Sequence, residues 1–227
     1  MYLWIHRDIS FNQFTWDASS GPKKCPKGTT YSLHINCGGE EVNINNTKFH
    51  DDTEGKGASS YYNDGYWAFS NTGNFIEYEG DFDPYTVSNT SNLHNISTYD
   101  TELYTSARAT AISLTYYGLC LINGNYTLKL HFAEIVLTED NSSNICGKRV
   151  FDVYVQGELK LKDFNIVKEA GGIGRAVIKS FIVPVKNNTL KIQLYWAGKG
   201  TTHIPYSGSY GPIISAISVE ASKRFFI

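Results

Sequence analysis

The stretch NGNYTLKLHFAEI (123–135) decides the fold class. Tyr126, Leu128, Leu130 and Phe132 alternate with Thr127, Lys129 and His131, directly after an Asn123-Gly124 turn. A period of two is that of a strand with one face in the core and one outside it. Working outward, the same alternation returns in LKIQLYW (190–196), where Leu190, Ile192, Leu194 and Trp196 share a face. It recurs over 213–220, with Ile213, Ser215, Ile217 and Val219 on one side. Residues 150–156, a Gly157-Glu158 turn and residues 159–164 read as a hairpin, and 177–185 as a further strand. Upstream, 31–36, 75–79, 103–107 and 111–115 are shorter candidates. No segment of helical length keeps a period of 3.6. Many short strands parted by Gly-rich turns predict an all-β chain, an antiparallel β-sandwich or jelly roll with long loops at one end.

Polar stretches at 40–74, 80–102, 138–148 and 198–212 exceed ordinary hairpin connections. Long loops on a rigid β scaffold are where binding residues concentrate. Residues 1–30 differ from the rest. IHRDISFNQFTW carries an Ile/Leu-x-x-Asn-x-Phe rhythm like the end of a leucine-rich repeat, and a Ser/Gly/Pro/Lys linker follows it. The expected organisation is therefore a repeat end plus linker (1–30), one β domain (31–221) and a short tail (222–227).

The chain has 227 residues and a net charge of −2, so it offers no basic field for nucleic acid. The six histidines are scattered and no Cys-x-x-Cys pair occurs, which gives a zinc site no support. GGIGRA (171–176) and AGKGTT (197–202) both miss the phosphate-loop pattern and read as strand terminators. There is no nucleophile elbow. Glu134 could reach a cleft, as could Asp51, Asp52, Glu54 and Asp64, but nothing in the sequence pairs any two of them as glycosidase carboxylates, and most read as solvated loop charges. No cofactor is expected. No run approaches the roughly 18–20 apolar residues of a membrane span. The N-terminal MYLWIHRDIS is broken by His6, Arg7 and Asp8 and does not read as a signal peptide. The chain reads as an internal piece of a larger protein.

Six N-glycosylation sequons begin at Asn45, Asn89, Asn95, Asn125, Asn141 and Asn187, about twice what random placement gives. With four cysteines, Cys25, Cys37, Cys120 and Cys146, they point to an oxidising, extracellular setting.

Aromatic residues make up 14% of the chain, with Tyr dominant at 16 copies. ASSYYNDGYWAFSN (58–71) concentrates Tyr61, Tyr62, Tyr66, Trp67 and Phe69 beside Asn63, Asp64 and Asn71. Its small, turn-forming residues read as a loop rather than a strand. A ring stacks on the C–H face of a pyranose, while tyrosine hydroxyl, Asn and Asp groups take the rim hydroxyls. Trp67 and Phe69 also suit the core at one end of a sandwich. Tyr61, Tyr62 and Tyr66, next to Asn-Asp-Gly, suit solvent.

SLHINCGGEE (32–41), DDTEGKGASSYY (51–62), LYTSARAT (103–110), SLTYYGLCLINGNYTLKLHFAEI (113–135), GKRVFDVYVQGE (147–158), DFNIVKEAGG (163–172) and YWAGKGTTHIP (195–205) together resemble the malectin domain. The resemblance is to the version in plant leucine-rich-repeat malectin receptor-like kinases. It implies a lectin-like jelly roll on the extracellular face of the plasma membrane. A transmembrane helix and a cytoplasmic Ser/Thr kinase, neither in this chain, would follow. Animal malectin grips a glucose-terminated glycan with four aromatics and an aspartate. The first tyrosine matches Tyr62. The second gives way to Ala109 after Arg108, the aromatic pair after FAE becomes Val136-Leu137, and the aspartate falls around Gly211.

A cleft rebuilt from local residues is then expected: Tyr61, Tyr62, Asn63, Asp64, Tyr66 and Trp67, with Tyr104 and Arg108. Its expected ligand is a cell-wall oligosaccharide such as a β-glucan or cello-oligomer. The rival is a protein or peptide partner acting with a co-receptor. Four cysteines leave three connectivities open. Cys25–Cys37, stapling the linker to the first strand, and Cys120–Cys146 are the expected pairs.

Overall fold

The computed structural model describes residues 29–54, 57–75, 85–91, 93, 100–137, 147–200 and 210–222. The repeat-like segment, Cys25, Cys146, Asn95, Asn141 and most of the strand expected over 75–79 lie outside them.

Fifteen strands are formed by the described residues. They are β1 (Ser32–Asn36), β2 (Val42–Ile44), β3 (Thr47–Phe49), β4 (Tyr61–Asn63), β5 (Trp67–Thr72), β6 (Thr86–Ser88), β7 (Ser106–Ala109), β8 (Ser113–Gly118), β9 (Gly124–Ala133), β10 (Phe151–Val155), β11 (Glu158–Phe164), β12 (Ala176–Val185), β13 (Leu190–Trp196), β14 (Ile213–Ile214) and β15 (Ala216–Ala221). A 3-10 helix over Thr101–Tyr104 and α1 (Ile166–Ala170) are the helical pieces, the latter capped by Asn165 accepting from Lys168 N.

One sheet runs β1-β15-β9-β12 and the other β11-β10-β13-β8-β5-β4, with every pairing antiparallel. Smaller units are β14-β7-β6 and the β2–β3 hairpin. The alternating stretch is the interior strand β9, and its Tyr126, Leu128, Leu130 and Phe132 are all buried. They meet the buried set of the second sheet, with Phe132 ring centroids 5.9 Å from Phe151 and 5.0 Å from Phe164. The result is an antiparallel β-sandwich.

Three two-residue turns explain how the hairpins close. Asn45-Asn46, Gln156-Gly157 and Asn187-Asn188 all have positive φ at both positions, the left-handed pair that hairpin twist demands. Two of these turns open Asn-Asn-Thr sequons, so the same triplets serve the fold and the modification signal.

Three expectations change. The expected loop over 58–71 is the β4–β5 hairpin, with Asp64 N donating to Trp67 O at 3.0 Å across a turn at Gly65. Ala68 and Ser70, which look like loop residues, take the outward positions of β5 between inward Trp67, Phe69 and Asn71. The segment 103–107 divides into the 3-10 helix and β7. The strand expected over 213–220 breaks at Ser215, so β14 pairs with β7 while β15 pairs with β1 and β9.

Candidate functional site

The residues expected to hold a sugar separate into buried and accessible groups. Trp67 and Phe69 are core, their rings stacked at 6.3 Å and both packed on Tyr116. Asn71 is buried too, its Oδ1 accepting from Ser60 N at 2.6 Å and its Nδ2 donating to Gly57 O at 3.1 Å. It ties down the segment before β4. Tyr62 is half-buried and turns inward, its ring 5.5 Å from Trp67. Burial, then the charge of Asp64, pushes its phenol pKa up.

Tyr104, the last residue of the 3-10 helix, is buried, its hydroxyl 3.0 Å from His131 Nδ1. Arg108 is fully buried. Its Nε donates to Asp52 Oδ2 at 2.8 Å, its Nη2 to Oδ1 at 2.8 Å, and its Cζ lies 4.0 Å over the Phe69 ring. Asp52 also accepts from Gly38 N and from the Tyr116 hydroxyl. Burial pushes the Asp52 carboxyl up, and the Arg108 charge pulls against it. Trp67, Tyr104 and Arg108 therefore hold the fold and do not face a ligand in this conformation. Burial of the side chains decides this, and a local motif carries no information about it.

Tyr61, Asn63, Asp64 and Tyr66 remain at the surface of the β4–β5 hairpin, with Tyr61 47% exposed. Asn63 Nδ2 donates to the Tyr61 hydroxyl at 3.1 Å, and Asn63 Oδ1 accepts from Gly65 N at 2.7 Å. The amide thus sets both the turn and the position of the phenol.

Glu134 is buried and ion-paired, its Oε2 accepting from Arg149 Nε at 2.7 Å. Its Oε1 accepts from Val136 N and Leu137 N, each at 3.1 Å, while Arg149 Nη1 donates to Gly211 O. The carboxylate fastens the loop after β9 to the start of β14. A side chain at Gly211 would place Cβ 1.9 Å from Thr110 O, so this position has no room for one.

A cavity of about 750 Å³ lies between the β10–β11 and β12–β13 turns, at the same end of the six-stranded sheet as the β4–β5 turn but several strands away from it. Its walls include Lys160, Lys186 and Asn187, and none of the expected sugar residues. Among the described residues no His, Cys, Asp and Glu cluster could hold a metal ion.

The outward face of the six-stranded sheet was not singled out by sequence motifs. Register places Tyr154, Gln193, Thr115, Ser70 and Tyr61 directly opposite one another across β10, β13, β8, β5 and β4. Period-two alternation in FDVYV and LKIQLYW marks Tyr154 and Gln193 as outward, but which strands are neighbours is a tertiary fact.

Of the cysteines, Cys37 is buried and free, which overturns Cys25–Cys37. It lies inside the Asp52–Tyr116 cluster, away from the domain surface. Cys120 is disulfide-bonded to a partner outside the described residues. Among the sequons, Asn45, Asn125 and Asn187 are exposed, whereas Asn89 is half-buried and its Nδ2 donates to Ile135 O at 3.0 Å.

A family model for the malectin domain matches residues 31–217. A probable LRR receptor-like serine/threonine-protein kinase of Arabidopsis thaliana is 48% identical, covering 96% of this chain and 25% of its own length. A probable leucine-rich repeat receptor-like serine/threonine-protein kinase of the same plant is 52% identical over 86% of this chain and 19% of its own. The chain thus spans about a quarter or less of these relatives. In structure it is similar to the ANX1 ectodomain of Arabidopsis thaliana, with TM-score 0.55 and 15% identity over 85% of this chain and 48% of that one. It is also similar to a β-glucuronidase of Bacteroides uniformis, with TM-score 0.55 and 16% identity over 84% of this chain and 18% of that one. At these identities the structural likeness speaks for the fold alone. The chain belongs to the malectin domain family, and its sequence relatives are plant leucine-rich-repeat receptor-like kinases.

Proposed function

We propose that this chain is the extracellular carbohydrate-binding domain of a plant receptor-like kinase, sensing cell-wall oligosaccharides such as β-glucans or cello-oligomers. The full protein would sit in the plasma membrane through a transmembrane helix outside this chain and carry a cytoplasmic Ser/Thr kinase. No helix among the described residues is long and apolar enough to cross a membrane. In this reading the chain itself is not an enzyme, and glycans on the sequons face the cell exterior.

The observation that carries the reading is the β4–β5 hairpin: an exposed Tyr61 ring held by Asn63, with Asp64 and Tyr66 alongside. An apolar face with amide, carboxylate and phenol groups at its rim is what a pyranose requires. The buried Glu134–Arg149 and Asp52–Arg108 pairs leave those two carboxylates committed to the fold, which supports binding over glycoside hydrolysis. A neutral glycan array followed by calorimetry with cello-oligomers tests it. Tyr61→Ala is expected to weaken binding about fivefold or more. Wild-type protein that binds no glycan defeats the reading.

A second reading, a peptide or protein partner acting with a co-receptor, is favoured by one observation elsewhere. Strand β12 is the edge of its sheet and exposes Ile178 (48%) and Ile182 (64%). Paired aliphatics on an open edge suit strand addition by another protein. Under this reading Ile182→Glu abolishes association with a co-receptor ectodomain and leaves the sugar titration unchanged.

A further inference from the structure

We propose that the outward face of the six-stranded sheet is an extended binding platform for a neutral oligosaccharide, running from Tyr61 on β4 to Tyr154 on β10. The proposal rests on the carbohydrate reading above and names a site for it that no loop motif marks.

Strand order and register carry the argument. Tyr61, Ser70, Thr115, Gln193 and Tyr154 form one continuous cross-strand row. Their neighbours along each strand, such as Phe69, Tyr116, Ile192 and Val153, are buried in the core, so the pleat turns the row away from it, although on β8 the outward Ser113, Thr115 and Tyr117 are buried as well. Four interstrand spacings of about 4.8 Å make the row about 19 Å long. It carries a ring at Tyr61 and at Tyr154, with hydroxyls and an amide between, and the exposed Leu159 of the edge strand β11 stands opposite Tyr154 beyond it. Tyr61 is exposed, Ser70, Gln193 and Tyr154 are half-buried, and Thr115 at the centre is buried.

The chemistry of the row selects its occupant. None of its five members is charged. Each carries a group that both donates and accepts, as a sugar hydroxyl does. The charges stand to either side: Asp152 beside Tyr195 in one flanking row, and Lys191 beside Tyr117 in the other. A charged polymer would meet both signs, whereas a neutral chain lies between them. A protein partner is less well matched, because Leu159 on the edge strand β11 stands alone: no outward position on β4, β5, β8, β10 or β13 holds an aliphatic side chain larger than Ala68. Side chains already tied to one another, as Asn63 is to Tyr61, are fixed before a ligand arrives and lose less freedom on binding.

The experiment is calorimetric titration of the chain with cellohexaose and with cellobiose. A row of this length predicts a gain in affinity from the short sugar to the long one. Tyr154→Ala and Gln193→Ala, both far from the β4–β5 hairpin, are each expected to weaken cellohexaose about fivefold or more and to abolish most of that gain. Tyr154→Phe, which keeps the ring, is expected to retain it. Melting curves matching wild type confirm that the variants are folded. If cellohexaose binds wild type, Tyr154→Ala and Gln193→Ala equally, the platform is wrong while the carbohydrate reading stands. If wild type binds neither cellohexaose nor any neutral glycan of an array, both fall.

Discussion

Arg108 and Asp52, fifty-six positions apart, meet in a two-pronged contact with both N···O distances 2.8 Å and neither side chain exposed. The guanidinium also donates to the backbone carbonyls of Asp52 and Glu54. A sequence reading takes Arg108 for a ligand contact. The fold uses it to clamp residues 52–54 beneath β7 and against Phe69.

Removing one member of this pair leaves an uncompensated buried charge. Arg108→Ala is expected to destabilise the domain by about 3–5 kcal/mol in urea unfolding. The double variant Arg108→Met/Asp52→Leu should recover much of that loss. A double variant as unstable as the single would contradict the assignment.

The resemblance to animal malectin puts that protein's aspartate around Gly211. Gly211→Asp is expected to lower the melting temperature sharply, because its Cβ would fall 1.9 Å from Thr110 O. It should not create affinity for a glucose-terminated glycan. Glu134→Gln should also destabilise, since Arg149 loses its counter-charge while Val136 and Leu137 lose an ionised acceptor.

His131 provides a pH test. Burial first, then the charges of Lys129 and His34, lowers its pKa to about 4 from 6.5. The unfolded chain therefore binds a proton more readily than the folded one between these values. The contribution is complete above about pH 6.5 and is lost as pH falls towards 4, amounting to roughly 2–3 kcal/mol. Stability of the wild type measured from pH 7 to 4 should fall through this window, and His131→Gln should flatten the slope.

The cysteines predict a digest pattern. Cys37 should resist alkylation in the folded domain and react after unfolding, being buried and free. With Cys37 excluded, Cys120 pairs with Cys25 or Cys146. Thr30 N donates to Cys120 O at 2.8 Å, so the residue five positions after Cys25 lies at this site. Five extended residues reach up to about 17 Å. A Cys25–Cys120 peptide is the expected product of non-reduced mass spectrometry, and a Cys120–Cys146 peptide would refute it.

Trp67→Ala tests the corrected role of the aromatic hairpin. A fully buried indole packed on Tyr62, Phe69 and Tyr116 should cost about 3–5 kcal/mol when truncated, with sugar affinity of the folded fraction unchanged. Reduced affinity at intact stability would return Trp67 to the ligand site.

Strand identity was legible wherever apolar residues alternate over six or more positions, as in β9 and β13, because one-sided burial writes its own period into the chain. The short hairpins β2–β3 and β4–β5 were not legible. Three-residue strands carry too few alternations, and Asn-Asn or Asn-Asp-Gly beside them reads equally as turn or loop. The all-β class and the family were thus determined by the sequence alone, through periodicity and motif blocks, and the sequons raised the expectation of an extracellular setting. Which polar residues are buried, which cysteine is free and which outward side chains line up across five strands were decided by the tertiary structure. Those facts depend on contacts between residues tens of positions apart, such as Arg108 with Asp52 and Tyr154 with Gln193, and local sequence does not encode them.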